Sequence, residues 1–224
     1  MGIIPQMLEI IYIDITDTDK YWDRLYRAAS QERRDRADKF RFEADKKRCI
    51  CAEALLRYCL EKSGISYRCA EIVHNEYGKP YIKDSSDFFF SLSHSGNYVA
   101  AAYGSSEVGA DVEETERGDT RIAKHSFTAS ENEYINSSEA GAQERFIKLW
   151  TLKESYIKYL GTGLHTPLDS FSITVTDDRI FTETDMSLEF SSIKLDDRHY
   201  LAVCGKEKLS QINKVTSEDC LSIL

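Results

Sequence analysis

Two stretches of the chain place charged side chains at positions where a fold would have to account for them. Lys148-Leu149-Trp150-Thr151-Leu152-Lys153-Glu154-Ser155-Tyr156-Ile157-Lys158 reads as a helix. At about 100° per residue, Phe146, Trp150 and Ile157 share one side, and Ile147 and Leu160 widen the apolar arc. Lys153 and Glu154 fall inside that arc and Lys158 lies at its border. A charge on a core-facing stripe loses hydration and needs a partner, an ion or a polar cavity, so this face is expected to line a site. In Glu107-Val108-Gly109-Ala110-Asp111-Val112-Glu113-Glu114 the apolar residues alternate at strand period. Alternation puts Asp111 and Glu113 on one face, about 7 Å apart. Two like charges that close repel, and a divalent cation turns the repulsion into affinity. Oxygen-only ligands point to Mg²⁺ or Mn²⁺ rather than zinc, with Glu154 as a third carboxylate. The competing readings are a solvated strand face for Asp111 and Glu113, an internal Lys153–Glu154 ion pair, and ordinary helix spacing for Glu154 and Lys158.

A basic concentration lies far from these acids in sequence. From Arg33 to Arg48 there are eight Lys/Arg against four Asp/Glu, in a chain of net charge −9. Ser30 is a candidate N-cap for the helix that begins this segment. The surplus suits a polyphosphate ligand, and the alternative is a solvated helix face. Lys79, between Gly78 and Pro80, is expected on a fixed turn. Ser93 and His94 follow the β-like run Phe88-Phe89-Phe90-Ser91-Leu92, at a turn opened by Ser95-Gly96. A Gly-x-Ser-x-Gly nucleophile elbow is absent, which argues against a hydrolase triad.

Val108-Gly109-Ala110-Asp111-Val112-Glu113 followed by Trp150-Thr151-Leu152-Lys153-Glu154-Ser155-Tyr156-Ile157-Lys158 resembles the paired signature of 4′-phosphopantetheinyl transferases. The resemblance extends through Tyr77-Gly78-Lys79-Pro80-Tyr81, Phe90-Ser91-Leu92-Ser93-His94-Ser95-Gly96 and Gly161-Thr162-Gly163-Leu164-His165-Thr166-Pro167-Leu168-Asp169-Ser170-Phe171-Ser172. Length and motif order are similar to the surfactin-synthetase-activating (Sfp-like) group. The resemblance implies transfer of the phosphopantetheine arm of coenzyme A to a serine of an apo acyl or peptidyl carrier protein, releasing 3′,5′-ADP. It implies Mg²⁺ on Asp111, Glu113 and Glu154, with Mn²⁺ open, and Glu154 as acceptor of the serine proton. Lys158 would stabilise phosphate charge, and Lys153 would either serve the phosphates or hold Glu154. Arg33, Arg36 and Arg48 match basic positions near the coenzyme A 3′-phosphate; Lys79, Pro80, Ser93 and His94 match further coenzyme A contacts. Glu131 aligns with another acidic position near the active site, and Glu133 competes for that role. A magnesium-dependent phosphohydrolase and a non-catalytic binding module are the other function classes in play.

These side chains need a scaffold. The resemblance implies an α+β fold of two similar halves packed as a pseudo-dimer within one chain, residues 1–105 and 106–224, with coenzyme A between them and a monomer as the expected state. The first half reads as a strand over Met1 to Ile15, helices to about residue 62, then strands that include Phe88 to Leu92 and Tyr98 to Tyr103. The second reads as the Val108 strand, helices around Ile122 and Phe146, and strands near Phe171 to Val175, Leu188 to Lys194 and Tyr200 to Cys204. With 224 residues and 42% apolar content, either one large domain or two small ones is accessible. The acidic net charge without a long basic face argues against general nucleic-acid binding. No apolar run approaches the roughly 18 residues of a membrane span, and the N-terminal run carries Glu9 and Asp14, unlike a signal peptide. A cytoplasmic location is expected. Cys49, Cys51, Cys59, Cys69, Cys204 and Cys220 lack metal spacing and read as free structural thiols. The segment from Phe127 to Tyr134 is a candidate docking surface for the carrier, with burial of Phe127 as the alternative.

Overall fold

The computed structural model describes residues 7–223. Its first strand, β1 (Leu8–Asp14), is apolar nearly throughout because both of its faces are covered. Residues 1–6 of the expected strand lie outside the described residues. Helices α1 (Trp22–Ala28), α2 (Gln31–Ala37) and α3 (Glu43–Lys62) follow. A small hairpin, β2 (Ile72–His74) and β3 (Pro80–Ile82), precedes β4 (Phe89–Ser95), β5 (Tyr98–Gly104) and β6 (Val108–Glu114). Then come α4 (Thr120–Ser126), α5 (Ala129–Ile135), α6 (Ala142–Leu160), and the two-residue strands β7 (Thr174–Val175) and β8 (Ile180–Phe181). The chain ends with β9 (Glu189–Lys194), β10 (His199–Gly205), β11 (Leu209–Val215) and α7 (Ser217–Ser222).

The fold is α+β and doubled. In the first half β1, the long α3 and the β4–β5 hairpin give the strand order β1-β5-β4; in the second, β6, the long α6 and the β9–β10 hairpin give β6-β10-β9. All four of these pairings are antiparallel. Strand alternation builds three cores from the two sheets. Ile11, Ile13, Val99 and Ala101 pack with α3, while Ala202 and Cys204 pack with α6. Ile10, Ala100, Val112 and Leu201 from the opposite strand faces meet in a third core between the sheets. The layers therefore run α3, sheet, sheet, α6, with strands buried on both sides.

Four features differ from the sequence expectation. Strand β11 and helix α7 were not expected, and β11 pairs in parallel with β1 at the edge of the first sheet. Residues 209–222, assigned by the boundary near 105 to the second half, thus complete the first half's sheet. Phe171 to Ile173 is not strand; β7 is confined to Thr174–Val175, and Phe171 and Ile173 are buried as core. All six cysteines are free, but Cys69 is exposed. Trp150 is only half-buried, stacked at 6.0 Å on Phe127 and 5.9 Å from Phe146. Trp150→Ala is accordingly expected to cost about 2 kcal/mol, below the cost of deleting a fully enclosed ring. A chemical denaturation midpoint shift near zero would show that the stack contributes nothing.

Candidate active site

Helix α6 is brought onto β6 by the absence of a side chain. A Cβ at Gly109 would lie 1.9 Å from the Ser155 carbonyl oxygen and 2.3 Å from the Tyr159 nitrogen. Only glycine allows this approach, and it lays the Glu154–Lys158 turn of the helix across Asp111. Lys158 Nζ donates to Asp111 Oδ1 at 2.6 Å and to Ser93 Oγ at 2.9 Å. Asp111 is 3% exposed, and its other oxygen, Oδ2, is buried with no hydrogen-bond partner. Glu113, two residues on, shares that strand face; Ser95 Oγ donates to its Oε2 at 2.7 Å. Burial, then the charges of Asp111 and Glu113, push the Glu154 carboxyl from 4.5 up to about 7, against the opposing pull of Lys158. The site therefore holds more negative charge than its own cation balances.

Among the described residues no three His, Cys, Asp or Glu side chains are arranged as a ready metal cluster. One oxygen each of Asp111 and Glu113 is held by protein donors. The donor chemistry nonetheless fits a hard divalent cation: oxygen ligands only, a buried and unsatisfied Asp111 Oδ2, and a half-buried Glu154 repelled by both neighbours.

A groove leads away from this end. Its near part, about 220 Å³, is lined by Tyr77, Lys79, Pro80, Leu92, Ile157 and Lys158. The far part, about 410 Å³, includes Arg33, Arg36, Phe40, His74 and His94. The parts share Gly78, Pro80, Phe90 and Leu92 as walls. Arg33 and Arg36 project from α2, whose N-cap is Ser30, as expected; the Ser30 hydroxyl accepts from the Arg33 N–H. Arg33 Nε lies 3.5 Å from Glu53, a carboxylate 2% exposed that also receives Ser30 and Arg57. His94 is turned to the groove, and burial, with Arg48 nearby, pushes its imidazole below the usual value.

Several expected site residues do other work. Arg48 is 8% exposed; its guanidinium donates to the Gly96 carbonyl and to Asp45, bracing the turn after His94. Lys79 lines the groove, but its amine is engaged by Glu107 and by the Val108 and Tyr159 carbonyls, bridging the halves. Ser93 is 7% exposed and bonds Asp111 and Lys158. Lys153 and Glu131, expected near the catalytic centre, are placed in the core behind it. Lys153 is wholly enclosed, ion-paired to Glu131 at 2.5 Å and donating to the Phe171 carbonyl at 2.7 Å. Glu131 is 2% exposed and caps α5 through the Thr128 N–H while accepting from the Ile173 N–H. Adjacent helical residues diverge by about 100°, so Lys153 enters the core behind the site while Glu154 enters the site itself. Phe127 is 5% exposed and belongs to that core, which removes it as a docking residue.

Sequence reasoning also missed contacts that join the two halves. Ser91 and Ser95 flank the motif serine at strand period and reach β6. The alternation Ser91-x-Ser93-x-Ser95 was the available signal. Gly96 has φ +53°, and a Cβ there would lie 2.2 Å from His199 Nε2. Nothing local in the sequence announces that contact.

The doubled α+β chain, with its acidic end, bridging lysine and cavity lined by an arginine pair, is matched by enzymes of the phosphopantetheinyl transferase class. Residues 107–204 match the 4′-phosphopantetheinyl transferase superfamily, and residues 16–106 match the 4′-phosphopantetheinyl transferase N-terminal family. The chain is 34% identical over 206 residues to a 4′-phosphopantetheinyl transferase of Bacillus subtilis, covering 87% of this chain and 90% of that protein. It is 31% identical over 220 residues to 4′-phosphopantetheinyl transferase psf-1 of Bacillus pumilus, covering 95% and 94%. It is also 31% identical over 228 residues to the human L-aminoadipate-semialdehyde dehydrogenase-phosphopantetheinyl transferase, covering 88% and 74%. This chain belongs to the 4′-phosphopantetheinyl transferase superfamily.

Proposed function

We propose that this protein transfers 4′-phosphopantetheine from coenzyme A to a serine of an apo acyl or peptidyl carrier protein, with 3′,5′-ADP as the second product. The observation that carries this reading is the pair of adjoining cavities, sharing Gly78, Pro80, Phe90 and Leu92 as walls, that place Arg33 and Arg36 in one and Lys158 in the other, with the Lys158 amine bonded to Asp111. An arginine pair at one end and a lysine at the other suit a ligand with a phosphorylated nucleotide at one end and a pyrophosphate at the other. Arg33 and Arg36 hold the 3′-phosphate as forked donors. His94 and the Gly78–Pro80 wall flank the nucleotide.

A divalent cation, Mg²⁺ by donor chemistry, would be held by Asp111, Glu113 and Glu154, and when bound supplies charge neutralisation at the pyrophosphate. Lys158 adds a fixed positive charge where charge builds on the departing phosphate. The serine hydroxyl oxygen attacks the pantetheine-side phosphorus, the phosphorus–oxygen bond to ADP breaks, and 3′,5′-ADP leaves with the bond's electron pair. Glu154 accepts the serine proton directly or through water. An apolar pocket of about 190 Å³ beside Glu113, lined by Ile122, Phe146 and Trp150, supports docking of the carrier at the acidic end. Among the described residues no helix is long and apolar enough to cross a membrane.

Intact-mass spectrometry of apo carrier proteins incubated with this protein, coenzyme A and Mg²⁺ tests the reading. Addition of one phosphopantetheine, about 340 Da on serine, that disappears with EDTA is the expected result. Release of 3′,5′-ADP with no carrier present and no mass gain on any carrier would replace transfer by hydrolysis.

A further inference from the structure

Strand β6 is the outer strand of its sheet, so alternate backbone N–H groups point away from β10. Such edge donors ordinarily go to water or to another strand. Here they go to serine hydroxyls. Ser91, Ser93 and Ser95 alternate along β4, and their Oγ atoms accept from the N–H groups of Ala110, Val112 and Glu114 at 3.0, 3.2 and 3.3 Å. This side-chain ladder joins the edges of the two halves in place of a backbone ladder.

The ladder reaches the acidic residues through its hydroxyl protons. Ser93 Oγ donates to Asp111 Oδ1 at 2.8 Å, and Ser95 Oγ donates to Glu113 Oε2 at 2.7 Å. A hydroxyl that already accepts from a backbone N–H has its rotation restricted, so its own proton points in one direction. Ser93 shares its oxygen with Lys158 and sits at the acidic end already described. Ser95 is different: it is 1% exposed, and both of its bonds go to β6.

We propose that Ser95 is a positioning residue for the cation site, holding the Glu113 carboxylate beside Asp111 and Glu154 so that cation affinity does not have to cover the cost of gathering like charges. This rests on the reading of those three carboxylates as cation ligands. The physical need is specific to Glu113. Asp111 is nearly enclosed and tied to Lys158, whereas Glu113, on the same strand face, is half-buried, so rotation toward solvent would relieve the repulsion between the two carboxylates. The Ser95 hydroxyl opposes that rotation. Partners that orient ligands commonly govern metal affinity as strongly as this requires.

The test is Mn²⁺ titration of the full chain followed by electron paramagnetic resonance, which reads cation binding without turnover. Ser95→Ala is expected to weaken Mn²⁺ binding about tenfold or more. Ser91→Ala removes the same kind of bond to β6, and Ser91 bonds no carboxylate among the described residues, so the variant's Mn²⁺ affinity should stay within about twofold of the unmodified chain. Both variants should melt at lower temperature, which separates the structural share of the ladder from the positioning share. Wild-type Mn²⁺ affinity in Ser95→Ala, or an equal loss in Ser91→Ala, overturns the proposal. If Ser95→Ala does not fold, Ser95→Cys keeps the size and a weaker donor; an intermediate loss supports the role and an unchanged affinity overturns it. An unmodified chain that binds no Mn²⁺ overturns the cation reading itself, and the role of Ser95 with it.

Discussion

Glu154→Gln is expected to lower transfer by at least about a thousandfold while making the metal-free protein more stable at pH 8. The loss of transfer follows from the proposed function, in which the substitution removes a cation ligand and a proton acceptor together. The gain in stability follows from the direction of the Glu154 shift. Burial and the neighbouring charges of Asp111 and Glu113 raise this carboxyl from 4.5 to about 7 in the folded protein. Between those values the folded chain keeps a proton that the unfolded chain has released. Stability of the EDTA-treated protein must therefore fall as pH rises from about 4.5 through 7, and the whole cost is present above that window. Glutamine carries no charge and escapes it. Allowing for solvent screening of a partly exposed group, the gain at pH 8 should be about 1–2 kcal/mol. Thermal melts in EDTA at pH 5 and pH 8 measure it, and a Glu154→Gln protein with the same pH slope as the unmodified chain would contradict the charge crowding assigned here. Function and stability are opposed at this residue, as expected where a site concentrates like charge.

Lys153→Met should do the reverse and damage the fold first. The ammonium is wholly enclosed against Glu131, the Phe171 carbonyl and the Phe171 ring at 4.1 Å. Burial pushes its basicity down, and the contact with Glu131 opposes that shift. Removing the cation leaves Glu131 charged inside a core, which costs about 3–5 kcal/mol. Adding Glu131→Gln removes the stranded charge and keeps an acceptor for one of the two N–H groups, Thr128 or Ile173, which bond to different oxygens of the carboxylate. The double variant should therefore recover a large part of the loss, as read from denaturation midpoints. Transfer measured well below the melting temperature should fall far less than in Glu154→Gln. A stable Lys153→Met protein without activity would instead place Lys153 in the catalytic group.

The contrast between these neighbours shows how far sequence reading reaches. Helical periodicity placed Lys153 and Glu154 in one apolar arc, and both are indeed withdrawn from bulk water. Periodicity has no information about what lies opposite the arc. A step of about 100° separates a side chain in the core with Glu131 from one facing Asp111 across the Gly109 contact. Arg33 and Arg36 were legible as a local excess of positive charge after an N-cap, and both line the groove. Arg48 belongs to the same excess, yet its burial spends its donors on Gly96 and Asp45. Charge density along a chain does not reveal which guanidinium keeps donors for a ligand. Strand β11 escaped notice because its residues are mostly polar and exposed, and it earns its place by backbone pairing with β1, about two hundred residues earlier.

What the sequence determined by itself was local: strand alternation that puts Asp111 and Glu113 on one face, helix period that turns Glu154 inward, the Ser30 cap, and the motif order that carries the family resemblance. These depend on dihedral preferences and side-chain period, which act over a few residues. The tertiary structure alone decided which carboxylates share a site, which lysine answers them, and which serines hold them. Those outcomes depend on close approach between elements far apart in the chain: Gly109 admits α6, β4 lends its hydroxyls to the edge of β6, and β11 returns to the first sheet. Electrostatic repulsion and hydrogen bonding act through space over a few ångströms, so only the folded chain brings their partners within range.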